Sequence, residues 1–261
     1  MKISIIIPAY NEEKRIRKTL EEYASYFRKK TGREIENFEI LVVLNACRDN
    51  TLKIVEECRN KFSEINYINF EQGGKGLAII EGFRRSIKKD FDLIGFVDAD
   101  MATSPDAFFN MINKIGNYDG IIASRYIKGA IIKPKRTLRR YLASRMFNFI
   151  IRTTIGLKFK DTQCGAKLFR RTAIEGVIED IGTTKWAFDV DLIYKIKKKG
   201  MKIKEIPTEW HDKEYSKINL GRAGPQMFLA IIRLRILESP LKNLVKIYDF
   251  IPKKYRKKII R

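Results

Sequence analysis

Asp98 and Asp100 stand one residue apart, directly after an apolar run at 93–97 that reads as a buried strand. Both carboxylates then emerge at the carboxyl end of one strand, where they repel each other unless a cation joins them. A hard divalent ion, Mg2+ or Mn2+, resolves that repulsion and takes its other ligands from phosphate oxygens and water. Arg125, in Ser124-Arg125-Tyr126 after the next apolar run, carries a planar fork suited to the same phosphates. Its plainer reading is a surface arginine. The turn Pro8-Ala9-Tyr10-Asn11-Glu12-Glu13 offers Tyr10 for stacking on a base or ribose, Glu12 to accept a hydrogen bond, and Asn11 as a helix cap. Leu44-Asn45-Ala46-Cys47-Arg48-Asp49-Asn50-Thr51 is first of all helix-capping chemistry. Gly73-Gly74-Lys75-Gly76 is neither a dinucleotide fingerprint nor a P-loop. Glycines entering a helix with a lysine among them still permit close approach to a phosphate or ribose.

These residues need a frame, and the first half of the chain supplies one. Short β-branched runs at 3–7, 39–43, 65–70, 93–97 and 120–123 alternate with helical patterns at 12–29, 51–61, 75–88 and 105–115. The alternation predicts an α/β fold, a mostly parallel central sheet with helices on both faces. Ligands of such sheets bind beyond the carboxyl ends of the strands, where the residues above fall. After Tyr126 the pattern changes to a basic helix, a Cys/Gly turn at 162–165, a strand at 167–169, a helix at 189–199 and a strand at 202–206. The simplest division is one domain over 1–222 and a basic amphipathic tail over 223–261.

The 261 residues are 44% hydrophobic and 32% charged, a globular composition, with a formal charge of +22. Residues 132–171 carry +11 of that charge and residues 233–261 carry +8. So local a surplus predicts an anionic partner. In the first segment Leu138, Leu142, Met146, Phe149 and Ile150 recur at helical spacing, with Arg139, Arg140, Arg145 and Arg152 among them. In the second, Met227, Ile231 and Leu234 form one stripe, with Phe228 and Ile232 beside it. Such helices suit an anionic bilayer surface; the plainer alternative packs the stripes on the domain. Strands with aromatics interleaved among basic residues are not evident, so nucleic acid is not the expected anion. Three cysteines without a CxxC pair, and His211 alone, exclude a disulfide scaffold and a Cys/His zinc site. The apolar run at 3–7 is too short for a signal-peptide core, and no run approaches the ~18 apolar residues of a membrane span. A cytoplasmic protein, peripheral on the membrane, is the expectation.

Taken in order, PAYNEE, the Asp/Asn-rich turn, GKG and DAD resemble the family 2 glycosyltransferases with a GT-A fold, a Rossmann-like fold that uses nucleotide-activated sugars. SRYIKGA is similar to a segment of dolichol-phosphate mannose synthases. DTQCGAKLF, KWAFDVDLIY and SKINL are similar to segments of dolichyl-phosphate glucosyltransferases. The resemblance runs from about residue 3 to 237. It implies a donor site from Pro8, Ala9, Tyr10, Glu12, Asn45, Lys75, Asp98 and Ala99, with Arg125, His211 and Lys217 toward the diphosphate. It implies Asp98 and Asp100 as metal ligands, and Asp189 beside Asp100 as the catalytic acids, Asp189 near the transferred sugar or acceptor. The implied acceptor is dolichyl or another polyprenyl phosphate, drawn to the membrane beside Arg136, Arg139, Arg140 and Arg145. The implied reaction is inverting transfer of a hexose from a UDP-glucose or GDP-mannose type donor. Two departures are visible: Leu44-Asn45 replaces a pair of aspartates, and Ala102 stands where mannose synthases often have a glutamine. The rival readings are the same fold with a soluble or protein-linked acceptor, needing a base such as Asp189, and a basic nucleic-acid-binding protein.

Overall fold

The structure, a computed structural model, describes residues 1–134, 137–182, 187–211 and 220–240. In chain order the elements are β1 (Lys2–Ala9), α1 (Ile16–Arg28), β2 (Asn37–Asn45), α2 (Thr51–Lys61), β3 (Ile65–Phe70), α3 (Lys75–Lys88), β4 (Leu93–Phe96), α4 (Pro105–Asn113), β5 (Gly120–Ser124), β6 (Ile131–Lys133), α5 (Leu138–Ile155), β7 (Lys167–Arg170), α6 (Arg171–Glu175), α7 (Phe188–Lys198), β8 (Ile203–Pro207), β9 (Glu209–His211) and α8 (Leu220–Leu237).

Period-two alternation in β1 feeds two cores, one on each face of the sheet. Ile3, Ile5 and Ile7 pack with Leu20, Tyr23 and Phe27 of α1, Val55 of α2 and Phe108 of α4. Ile6 points the other way, into Ile79 and Phe83 of α3, Ile151 of α5 and Ile193 of α7. The seven strands run in the order β3-β2-β1-β4-β7-β5-β8. All pairings are parallel except those of β7, which is antiparallel to both β4 and β5. The expected mostly parallel sheet is therefore present. Because β1 lies between β2 and β4, successive crossovers leave it in opposite directions, which opens a crevice at the carboxyl ends of β1 and β4.

Most element boundaries fall within two residues of the sequence expectation, and α1 shows why one did not. Asn11 adopts φ 53° and its Oδ1 accepts the Arg48 N–H at 2.8 Å, so it ties the first turn to the second instead of capping. A turn in which the Glu12 carbonyl accepts from Arg15 and Ile16 precedes the helix. After β2 the cap residue Asn50 makes no side-chain cap; instead Asp49 closes the turn, its Oδ1 accepting the Thr51 N–H at 3.0 Å and its Oδ2 the Glu13 N–H at 3.2 Å. The small β6–β9 pair had no sequence signal, since three-residue strands leave no period to read. It matters nonetheless, because the His211 N–H donates to the Ala102 carbonyl at 2.8 Å and moors β9 to the turn after Asp100.

The division expected after residue 222 falls inside α8, whose Ile231 and Leu234 are buried in the core beside α5. The outer face of α5 is different. Leu138, Leu142, Met146 and Phe149 are 71%, 55%, 63% and 58% exposed, while Phe147, Ile151 and Ile155 turn inward. Phe228 and Leu229 of α8 are also exposed. Among the described residues, no helix is long and apolar enough to cross a membrane.

Candidate active site

β4 is buried throughout and delivers Asp98 and Asp100 at its carboxyl end, each partly open to solvent. Asp98 meets Lys75, whose ammonium lies 2.5 Å from Oδ1. Desolvation works against the Lys75 charge, yet the carboxylates of Asp98, Asp189 and Asp100 outweigh it and hold the ammonium well above its ordinary pKa. Desolvation and then the neighbouring charge of Asp98 push the Asp100 carboxyl upward. The Ala102 N–H, donating to Asp100 Oδ1 at 3.0 Å, opposes that shift. Arg15 stands 3.9 Å from Asp100 Oδ2 and is itself bound to Glu12, at 2.7 Å through Nε.

The donor set fits a hard cation. It is all oxygen, partly exposed, and holds the unfavourable like-charge proximity that such an ion relieves. Among the described residues, no group of three or more His, Cys, Asp or Glu side chains gathers to hold a metal. An ion held by Asp98 and Asp100 would need other oxygen ligands, such as water, to complete its shell, which Mg2+ tolerates well.

Other sequence-selected residues take scaffold positions. Asn45, expected to face the donor, is 4% exposed; its Nδ2 donates to the Ala9 carbonyl at 2.8 Å and its Oδ1 accepts the Gly74 N–H at 3.1 Å. It fastens the end of β1 to the glycine segment, so its amide has no reach toward a base. Pro8 and Ala9 are buried in β1, and the Ala9 carbonyl also accepts from Cys47 Sγ. Ala99 is 5% exposed with its carbonyl on Thr19 Oγ1 at 2.8 Å. Tyr10 is the open member of that turn, 51% exposed at the sheet edge.

Arg125 is not a surface arginine. Its side chain is 7% exposed, and its fork is already filled by Asp161, with Nε–Oδ2 at 2.7 Å and Nη2–Oδ1 at 2.9 Å. The guanidinium packs over Trp210, 5.0 Å from the ring centroid. Burial opposes its charge, but Asp161 raises its pKa far beyond the ordinary value. A bidentate grip on phosphate by this residue is therefore corrected: the carboxylate of Asp161 occupies that geometry. His211 is half-exposed, with Nε2 3.7 Å from Glu209 Oε1. Arg139 and Arg140 lie at the start of α5, and Arg145 covers the Tyr126 ring at 5.2 Å. Arg136 and Lys217 lie outside the described residues.

Asp189 sits in the first turn of α7, and the structure brings it to Lys75. Sequence reasoning missed its other neighbour, the fully buried Lys167, whose Nζ lies 2.6 Å from Asp189 Oδ1. A lysine at the head of an apolar strand was the available signal. Gly165 was also missed: an added Cβ there would stand 1.9 Å from Asp98 Oδ2. Both residues belong to the DTQCGAKLF stretch, which β7 inserts beside β4.

The chain is similar to known proteins along most of its length. A dolichyl-phosphate beta-glucosyltransferase of Trichomonas vaginalis is 34% identical over 256 residues, covering 95% of this chain and 76% of its own. Those of Saccharomyces cerevisiae and Homo sapiens are each 31% identical, covering 90% of this chain and 75% and 76% of theirs. Among solved structures, glucosyl-3-phosphoglycerate synthase from Mycobacterium tuberculosis, in complex with Mn2+, UDP and glucosyl-3-phosphoglycerate, superposes with a TM-score of 0.61 at 16% identity, covering 90% of this chain and 78% of that one. S. aureus TarS in complex with UDP-GlcNAc gives 0.56 at 20% identity, over 92% and 68%. At those identities the likeness is one of fold, the GT-A fold expected from the motifs. The family model for glycosyl transferase family 2 matches residues 4–178, which takes in β1, the acidic pair after β4 and the Lys167 strand. With that match and relatives above 30% identity along almost all of its length, the chain is a glycosyltransferase and belongs to family 2.

Proposed function

We infer that this enzyme transfers glucose from UDP-glucose to a polyprenyl phosphate of the dolichyl type, with inversion at the anomeric carbon. The names of its relatives support glucose and a dolichyl acceptor. The observation that carries the lipid acceptor is the outward apolar face of α5, set among Arg139, Arg140 and Arg145 on the segment of greatest positive charge. A lipid phosphate at a membrane is the acceptor whose chemistry matches both halves of that surface.

In this reading Asp98 and Asp100 would hold Mg2+ or Mn2+, and the ion would supply charge stabilisation to the departing diphosphate. Tyr10 stacks on the nucleotide at the end of β1, and Glu12, steadied by Arg15, faces the ribose. Lys75, poised on Asp98, is a cation placed for the diphosphate, while Arg125 acts from behind by fixing the Ser124–Tyr126 turn. An acceptor phosphate oxygen forms the new bond to the anomeric carbon as the bond to the diphosphate breaks, and the electron pair leaves with UDP. The acceptor is already ionised near neutral pH, so no protein base is needed. Catalysis then rests on alignment and on charge placed beforehand around the leaving group.

The test is to incubate the protein with labelled UDP-glucose or GDP-mannose, Mg2+ and either a short polyprenyl phosphate or soluble sugar acceptors. Label from UDP-glucose is expected in the organic phase with polyprenyl phosphate. Transfer to soluble sugars alone would overturn the lipid assignment.

A further inference from the structure

Lys167 has a side chain with 0% exposure, an unusual place for an ammonium. A buried cation persists only when paired and hydrogen-bonded. Here Nζ donates to Asp189 Oδ1 at 2.6 Å and to the Cys164 carbonyl at 2.7 Å, and lies 5.2 Å from the centroid of Phe96. The strand register fixes it: β7 pairs Lys167 with Phe96, the last residue of β4. Its ammonium is therefore delivered from beneath the sheet edge that carries Asp98.

Asp189 is held equally firmly from the other side. The start of α7 is pressed on the start of α3, since an added Cβ at Gly76 would stand 2.8 Å from the Phe188 Cβ. Lys75, the neighbour of Gly76, feels the charges of Asp98 and Asp189 together. Acid and lysine thus alternate across the edge as Asp98, Lys75, Asp189 and Lys167. Asp189 is 16% exposed, and its contact with Lys167 engages only Oδ1.

We propose that Lys167 is a positioning residue for the donor sugar, holding Asp189 by one oxygen so that the other accepts a hydrogen bond from a hydroxyl of the bound hexose. Asp189 is then an anchor for the sugar and takes no proton from the acceptor. A carboxylate locked at 2.6 Å to a buried ammonium cannot swing to follow an incoming nucleophile, but it is well suited to hold a ring in one orientation.

This inference rests on the nucleotide-sugar donor of the preceding reading and is independent of the acceptor, so binding without acceptor tests it. UDP and UDP-glucose are titrated calorimetrically, with Mg2+, into the wild type, Lys167→Met, Lys167→Arg and the double variant Lys167→Met with Asp189→Asn. The wild type is expected to bind UDP-glucose more tightly than UDP. Lys167→Met keeps its UDP affinity within about twofold and loses the preference for the sugar, roughly tenfold, and Lys167→Arg restores most of it. The double variant carries no unpaired buried charge, so it melts close to the wild type and still lacks the preference. Full preference in folded Lys167→Met or in the double variant, or none in the wild type, would overturn the proposal. Absence of transfer to polyprenyl phosphate would remove the acceptor assignment and leave this result standing.

Discussion

At Gly165 a single methyl group would collide with Asp98 Oδ2 at 1.9 Å, so the absence of a side chain there is what lets the carboxylate reach its place. Gly165→Ala is expected to lower the transfer rate by at least a hundredfold while shifting the melting temperature by only a few degrees, because Asp98 is partly exposed and can rotate away. Steady-state rates and a melting curve on one preparation check it; a near wild-type rate would mean that the position of Asp98 is immaterial. At this scale the sequence was informative wherever chemistry-bearing residues follow a strand in the chain. Asp98 and Asp100 could be singled out on that basis, and Asp189 only through the resemblance of its segment to known glycosyltransferases. Lys167, Gly165 and Asp161 could not, because their importance arises only when β7 enters between β4 and β5 in the reverse direction. Arg125 looked ligand-facing from its position after a strand, and Asn45 from the resemblance of its turn to the family. Only the packing of Ala9, Gly74 and Asp161 around them shows that their polar atoms are already engaged.

Two helices give predictions of their own. Asp191 in α7 is 1% exposed; its Oδ2 accepts the Gly182 N–H at 2.7 Å, while its Oδ1 is buried without a partner among the described residues. Burial pushes its carboxyl to about 6, against the help of Gly182 and Lys195. A raised carboxyl pKa means that the folded state binds the proton more tightly, so stability from this group is greatest below about pH 4 and is lost as pH rises through about 6. Asp191→Asn is therefore expected to stabilise the protein at pH 8 by roughly 1–3 kcal/mol, and the gain should vanish near pH 4. Chemical denaturation at the two pH values measures it, and an equal effect at both would contradict the burial argument. For α5, Leu142→Glu with Phe149→Glu replaces two exposed apolar residues and leaves the inward face untouched. Binding to anionic vesicles should fall at least tenfold in sedimentation with the melting temperature unchanged; unaltered binding would remove the membrane role of this face. The strands and helices that alternate were readable because each repeats its own period over several residues. The β6–β9 pair and the late start of α1 were not, since they depend on one turn docking on another.

Along the sequence the surplus positive charge is local, whereas at the carboxyl edge of the sheet acids and lysines alternate. The net +22 is concentrated in segments that include α5 and the end of the chain, while Asp98, Asp100 and Asp189 share the carboxyl edge of the sheet. Under the proposed function, the basic segments would draw in a lipid phosphate and the acidic edge would hold a cation on the donor. The sheet order was implicit in the alternation of the first half, whereas the insertion of an antiparallel β7 was not, because a four-residue strand carries no direction in its pattern. The measurement that bears most directly on the account is a titration of UDP into the protein with Mn2+ and with a chelator. If Asp98 and Asp100 hold a cation against the diphosphate, Mn2+ should tighten UDP binding by at least tenfold, about 1.4 kcal/mol, and Asp100→Asn should erase the difference. Equal affinity for UDP with Mn2+ and with chelator would contradict it.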